Sequence, residues 1–324
     1  MTQYRRISAI DALRGFALAG IVEFNLVQMS GFARPGGAAA DHVGAFVWES
    51  LFIQRFFPIF SFLFGVSFAL FLRTASRRTD RPRLVLSRRL LWLGVFGALH
   101  TLLQHGEVLR FYAAFGLVVL LPASYLSRRW ALALGLVLTL AGWVFLNGVA
   151  IIPGLFLLGL AAAGYGLADT LEQRTRPLVI ALLVVVPVAV FLEWWQFRGG
   201  VGQAHIGRVV SAGTVVALLY ALVFLLLLRT PPGRALEAVF APMGRLALTN
   251  YVLASVLILA ADRAFDLGGG TTYGPLVATG AGIGLVQAAL SVLWLRWFRY
   301  GPLEWLWRCL TWWRRVPLRA EAPR

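Results

Sequence analysis

Lysine is absent from this sequence of 324 residues, cysteine occurs once and histidine four times, and 14 acids stand against 30 basic residues. Every fixed positive side chain is therefore a guanidinium. The lone Cys309 excludes an internal disulfide and a cysteine-based metal cluster. The histidines are scattered, with no two at i and i+4 on one helix, so no metal-ligand spacing occurs and no metal is expected. Charge is scarce as well: 14% of the chain is charged, 59% is apolar and the mean hydropathy is +0.76, which is too hydrophobic for a water-soluble domain. What the chain has in abundance is apolar runs of about 20 residues, the length that spans a bilayer core. The fold class expected is all-α, a polytopic integral membrane protein whose first partner is the lipid bilayer. A net charge of +16 would point to nucleic acid in a soluble chain. Here the arginines stand in short loops between apolar runs, where they set topology, and a nucleic-acid partner is excluded.

Ten spans are expected, over 9–30, 47–72, 84–103, 108–126, 129–147, 151–169, 177–196, 206–228, 243–264 and 273–298. The positive-inside rule tests that count. With the N-terminus cytoplasmic, one face collects Arg73, Arg77, Arg78, Arg81, Arg83, Arg88 and Arg89, then Arg128 and Arg129, Arg174 and Arg176, Arg229 and Arg234, and the tail arginines. The other face holds only Arg34, Arg198, Arg208 and Arg263. Both termini are thus expected in the cytoplasm. The chain reads as a single domain: 1–8 an N-terminal segment, 9–298 a ten-helix bundle, and 299–324 a tail whose Trp-, Tyr- and Arg-rich FRYGPLEWLWR forms an interfacial helix. Glu304 is expected to pair with Arg308 one turn on. Arginines ahead of an apolar run, with Ala38, Ala39 and Ala40 beyond it, resemble a cleaved signal peptide. The length of the run and its charged residues favour an uncleaved first span.

Polar groups at membrane depth mark candidate sites. In DALRGFALAGIVEFNLVQMSGF, Asp11, Arg14 and Asn25 share one helical face at 100° per residue, and Glu23 points nearly the opposite way. Asn25 stands roughly 21 Å along the axis from Asp11, two-thirds of the way across a core of ~30 Å. The second span carries Arg55 and Pro58. Pro58 can bend the helix beside a buried guanidinium that needs Glu23, Glu49 or Glu107 as a partner. The third opens with Arg88 and Arg89 and closes with His100. Arg89 and His100 share a face and repeat the eleven-residue spacing of Arg14 and Asn25. QHGE, with His105 and Glu107, leads into Arg110 and Tyr112. A histidine beside a carboxylate suits proton transfer near neutral pH. Each feature has a plainer reading: a helix-packing amide at Asn25, a snorkelling Arg14, and solvated loop histidines at His105 and His205.

Four stretches taken together, DALRGFALAGIVEFN (11–25), FFPIFSFLFG (56–65), ALHTLLQHGEVLRFYAAFG (98–116) and the pair GRLALTNYVLASV (244–256) with FRYGPLEWLWRCLT (298–311), resemble the YeiB-like bacterial membrane proteins. That family is labelled as a domain of unknown function and grouped with the transmembrane acyltransferase superfamily. The resemblance covers nearly the whole chain. It implies the bacterial cytoplasmic membrane and transfer of an acyl group, taken as acetyl, from cytoplasmic acyl-CoA to an envelope glycan or lipid headgroup on the far side.

By that resemblance Asn25 matches an asparagine that serves the reaction in the lysosomal heparan acetyltransferase. His42 stands for a histidine in the following loop, at longer spacing, and Glu107 replaces the family's usual aspartate. The expected catalytic set is His100 or His42 as base, Glu107 orienting it and Asn25 at the oxyanion. Arg110, Arg55, Glu23 and Tyr112 position the acceptor, and Arg14, Asp11, Arg88 and Arg89 meet CoA, whose phosphates suit paired guanidinium donors. A homo-oligomer is compatible with this reading. Two other classes fit the same residues, a transporter or flippase for a small anionic solute and a non-catalytic scaffold for envelope assembly. No inverted repeat favours the transporter.

Overall fold

The computed structural model describes residues 8–32, 41–145, 148–171, 175–198 and 203–319. All regular structure among the described residues is helical, apart from one isolated bridge between Phe298 and Arg319. The main helices are α1 (Ser8–Ser30), α2 (His42–Phe52), α3 (Phe57–Ala75), α4 (Pro82–His100), α5 (Leu109–Ala123), α6 (Arg128–Phe145), α7 (Ile152–Gly164), α8 (Thr175–Phe197), α9 (Gln203–Leu227), α10 (Gly233–Arg245), α11 (Ala247–Phe265), α12 (Gly274–Trp294) and α13 (Pro302–Trp312). Among the described residues, five stretches are long and apolar enough to cross a membrane: His42–Ala75, Thr175–Phe197, His205–Leu227, Ala247–Phe265 and Gly274–Trp297. The chain is thus an all-helical membrane protein. The other expected spans fall on helices that are shorter or more charged, such as α1 with Asp11, Arg14 and Glu23. The Ala38–Ala40 run and Arg34 lie outside the described residues.

α1 is the hub, packed against α3, α10, α11 and α12, while α8 lies at the periphery against α9. The close crossings depend on missing side chains. A Cβ on Gly15 would lie 2.0 Å from the Phe240 carbonyl oxygen, and one on Gly244 would lie 1.8 Å from that of Asp11, so α1 and α10 touch backbone to backbone. Small residues permit such contacts where lipid supplies no hydrophobic drive between helices. On α8, Val184, Val190 and Phe191 are exposed, as expected of a helix facing lipid.

Three expectations about these elements are corrected. The run 47–72 is two helices, because the chain leaves helical geometry at Ile53–Phe56, where Gln54 has φ +60°. Pro58 does not bend a continuous helix. It sits in the first turn of α3, where its missing N–H costs nothing. The stretch 233–245, expected as loop plus the start of a span, is the separate amphipathic helix α10 that covers α1. Finally, Glu304 is more than an exposed partner for Arg308. Its carboxylate caps α11, accepting from the N–H groups of Leu248 at 2.6 Å and Thr249 at 3.0 Å and meeting Thr249 Oγ1 at 2.5 Å. Those are orphan donors of the helix's first turn, so α13 is docked on the bundle. Trp307 adds a bond from its indole N–H to the carbonyl of Arg89, 2.7 Å long.

Candidate functional site

The face shared by Asp11, Arg14 and Asn25 looks onto two cavities, one toward each end of α1. The first, about 260 Å3, is lined by Asp11 and Arg14 of α1, Ser67 of α3, Arg89 of α4, Arg245 of α10 and, from the C-terminal segment, Arg299, Tyr300, Glu304, Trp307 and Arg308. Five arginines thus face two acids. Arg14 is anchored by Asp11 at 2.7 Å, donates to Ser67 Oγ at 2.8 Å and reaches the Gly244 carbonyl at 3.3 Å. Arg89 lies 3.6 Å from the centre of the Trp307 ring, a cation–π contact that holds the guanidinium flat against α13. Burial pushes the Glu304 carboxyl up from its ordinary range, opposed by the hydrogen bonds from Thr249 and Leu248.

The second cavity, about 220 Å3, is lined by Asn25 and Gln28 of α1, Gln54 of the helix break, Gly106, Gly148, and aromatic residues that include Phe52, Phe56 and Phe57. Among the described residues that line it, none has a charged side chain. Asn25 Nδ2 and Gln54 Oε1 are buried without a hydrogen-bond partner among the described residues. The two cavities share four wall residues, Phe60, Leu109, Tyr112 and Tyr251. Tyr112 is fixed there by a 2.6 Å hydrogen bond with Ser61 Oγ, and a π-helical stretch of α5 over Gly116–Leu120 follows one turn on. Along α1 the separation of Arg14 and Asn25 is roughly 16 Å, eleven residues at the helical rise.

Behind Tyr251 lies a buried polar chain. His100 stacks edge-on against the Tyr251 ring with centroids 5.0 Å apart, its Nε2 is 2.9 Å from Ser255 Oγ, and its Nδ1 is 3.9 Å from Glu107 Oε1. Glu107 is fully buried and caps α5 through the N–H groups of Leu109 and Arg110. Ser255 also donates to Gln104 at 3.2 Å, and Gln104 donates to Gln28 of the second cavity at 3.3 Å. A base, a carboxylate facing its second nitrogen and a hydroxyl on its first are therefore assembled, with Gln28 joining them to the cavity.

The expected site residues thus divide. Asp11, Arg14 and Arg89 line the first cavity, Asn25 the second, and Tyr112 both. His100 and Glu107 stand together behind the shared wall. Arg110 lies 3.7 Å from Glu107 with its side chain 46% exposed. The remaining four line neither cavity. Arg88 turns outward over the Trp313 ring at 5.1 Å, and His42 is exposed at the start of α2. Glu23 faces α12 against Gly280. Arg55, with no exposed surface, pairs with Glu193 of α8, a residue outside the three carboxylates expected. It also donates to Gln196 at 3.1 Å and to the carbonyls of Ser50 and Ile53, so it closes the end of α2.

Sequence reasoning missed Gln28, Gln54, Gln104, Tyr251, Ser255, Arg245 and the cavity-lining role of Arg299, Tyr300, Glu304 and Arg308. Gln28 lies one turn beyond Asn25 and so was within reach of the same periodicity. The C-terminal arginines stand in a motif whose Trp-, Tyr- and Arg-rich composition points to an interfacial helix and not to a cavity wall.

Fold and site together define a polytopic helical membrane protein with an arginine-lined and an amide-lined cavity set end to end in one bundle. Residues 165–314 match the family described as "Protein of unknown function (DUF418)". An "Uncharacterized 39.9 kDa protein in amylase 3'region" of Bacillus acidopullulyticus is 32% identical over 334 residues, covering 97% of this chain and 96% of that protein. "Uncharacterized protein YxaH" of Bacillus subtilis (strain 168) is 27% identical, covering 94% of each chain. "Uncharacterized protein YeiB" of Escherichia coli (strain K12) is 26% identical, covering 97% of each. The chain belongs to this DUF418 family of YeiB-like proteins. No solved structure matches it.

Proposed function

We propose that the protein is an acyltransferase of the bacterial cytoplasmic membrane, with ten spans and both termini in the cytoplasm. It moves an acyl group, taken as acetyl, from cytoplasmic acyl-CoA to a glycan or lipid headgroup on the opposite side. The observation that carries this reading is the pair of cavities that share the wall residues Phe60, Leu109, Tyr112 and Tyr251. The arginine cavity suits CoA phosphates, which guanidinium groups bind through paired, charge-assisted donors. The amide cavity suits the acceptor, and the thioester would sit at the shared wall.

In this mechanism the acceptor oxygen or nitrogen bonds to the thioester carbonyl carbon, and the C–S bond then breaks. The unpartnered Nδ2 of Asn25 donates to the oxyanion that forms. His100 takes the acceptor's proton and returns it to the departing thiolate, with Glu107 stabilising the imidazolium. Reaching His100 requires the Tyr251 ring to turn aside, which makes Tyr251 the gate between acceptor and base. His42, exposed and away from both cavities, is left out of this assignment.

The same pinched pair of cavities is what an occluded carrier would have, and this favours a transporter for a small anionic solute as the second reading. Purified protein in lipid nanodiscs separates the two. Acyl transfer expects saturable acetyl-CoA binding that is lost in Arg14→Ala/Arg89→Ala, and CoA release that is lost in His100→Ala with binding retained. If no acyl-CoA of any chain length binds while proteoliposomes pass anions, the transporter reading replaces it.

A further inference from the structure

We infer that the amide-lined cavity holds an uncharged, hydroxyl-bearing group, a sugar or polyol ring, gripped by Gln28, Gln54 and Asn25. The inference deepens the acyl-transfer reading and rests on it only for calling that group the acceptor. The binding claim itself follows from what lines the cavity.

A hydroxyl both donates and accepts, and so does a carboxamide; an anion offers only acceptors and a cation only donors. Two residues that line the cavity carry unused polar atoms, a donor in Asn25 Nδ2 and an acceptor in Gln54 Oε1, both buried. A ring that bears several hydroxyls offers a partner to each. The polar remainder is Gln28 and the phenols of Tyr112 and Tyr251, and no described residue of the lining has a charged side chain to offset an anionic or cationic headgroup. A bare charge placed there would lose its hydration without a counter-charge. Phe52, Phe56 and Phe57 supply flat apolar faces for the C–H side of a ring.

The amides are also held in place. A Cβ on Gly106 would lie 2.3 Å from Gln28 Nε2, and one on Gly148 would lie 2.6 Å from Gln54 Nε2, so each amide is packed directly over a glycine. Gln54 has φ +60°, a conformation that a side chain other than glycine rarely adopts. The carbonyl of Ile53, on one side of it, is fixed by Arg55, which follows it in the chain. Strain kept in place by its surroundings in this way is characteristic of a residue positioned for a ligand.

The test uses the intact protein in nanodiscs that contain equal fractions of monoglucosyl-diacylglycerol and phosphatidylglycerol, with retained lipid read by native mass spectrometry. The neutral glycolipid is expected to be retained at least about tenfold over the anionic lipid, the scale of one or two net hydrogen bonds. Gln54→Gly keeps the left-handed backbone without strain, so it should fold at least as stably as the parent while losing that selectivity. Gln28→Glu should lose it too.

Displacement by soluble methyl glucoside would assign the site to the sugar alone, and retention without displacement would assign it to a membrane-borne sugar; either supports the inference. Equal or preferential retention of phosphatidylglycerol, absence of binding by both sugar probes, or unchanged selectivity in a folded Gln54→Gly would overturn it. Acetyl-CoA binding measured on the same samples reports on the other cavity. Its absence beside intact sugar selectivity removes acyl transfer and leaves this site standing, and the converse result removes only this site.

Discussion

Arg55 and Arg89 are both guanidinium groups carried into an apolar bundle, and their surroundings could hardly differ more. Arg55 has no exposed surface, and its donors go to Glu193, Gln196 and the carbonyls of Ser50 and Ile53. It is neutralised, with four of its five N–H donors engaged, and it closes a helix end at a break in the chain. Arg89 has aromatic faces instead, Trp307 at 3.6 Å and Phe71 at 4.7 Å, and its remaining surroundings are a cavity shared with four other arginines. A buried charge that is fully paired is part of the scaffold; one held by π faces beside a cavity of like charge is available to an anion. Depth in the membrane alone does not tell the two apart.

The comparison can be broken most directly by removing each guanidinium. Arg55→Ala strands the Glu193 carboxylate and uncaps α2, and should cost about 3–5 kcal/mol, the scale for removing one partner of a buried pair. Little folded protein should survive extraction, as read by size-exclusion chromatography and thermal unfolding. Arg55→Met with Glu193→Leu should recover part of that loss, because no stranded charge remains. If Arg55→Ala is as stable as the parent, the scaffold assignment is wrong.

On the proposed mechanism, His100→Ala should lower the rate of CoA release by about 10²–10⁴-fold and Asn25→Ala by about 10²–10³-fold. Both should leave acetyl-CoA binding near the parent value, since neither side chain lines the arginine cavity. Arg89→Ala sharpens the comparison from the other side. It should change stability by about 2 kcal/mol, the value of a desolvated cation–π contact, and so by less than the loss of Arg55. Acetyl-CoA affinity should fall by roughly 10–100-fold, as for one or two lost charge-assisted bonds. Calorimetry in nanodiscs at two salt concentrations checks both statements.

Much of this was legible in the sequence, for reasons that can be traced. The helices 8–30, 82–100, 175–197 and 274–294 fall within a few residues of the expected spans because long apolar runs bounded by arginine, proline or glycine leave little choice. The face shared by Asp11, Arg14 and Asn25 followed from periodicity, which acts within one helix. What joins different helices did not follow. Nothing in the apolar run of α8 marked Glu193 as the partner of Arg55, 138 residues away. Tyr251, which walls both cavities, is one tyrosine in an apolar span, and Ser255 becomes notable only beside His100. The break at 53–56 was hidden because Pro58 is equally at home in a kinked helix and in the first turn of a new one.

The smallest expected effect concerns Glu304, the acid that faces Arg89 across the arginine cavity while capping α11. Burial raises its folded-state value above the ordinary carboxylate range, so the folded protein holds the proton more tightly than the unfolded chain. Its contribution to stability is then fully present below the unfolded value near ~4.3 and is lost as pH rises through the raised folded value. Glutamine reproduces the protonated form: its oxygen can accept from the Leu248 and Thr249 N–H groups, and its amide can donate to Thr249 Oγ1. Glu304→Gln should therefore match the parent at pH 4 and equal or exceed it by up to about 1 kcal/mol at pH 8, with a flatter profile between. Glu304→Ala, which loses the cap, should cost about 1 kcal/mol at either pH. Thermal unfolding from pH 4 to pH 8 decides the matter. A parent that gains stability over Glu304→Gln as pH rises would mean that the carboxylate is held charged in the fold, by the cavity's arginines and the cap together, and that this acid belongs with Arg55 among the paired groups rather than with Arg89.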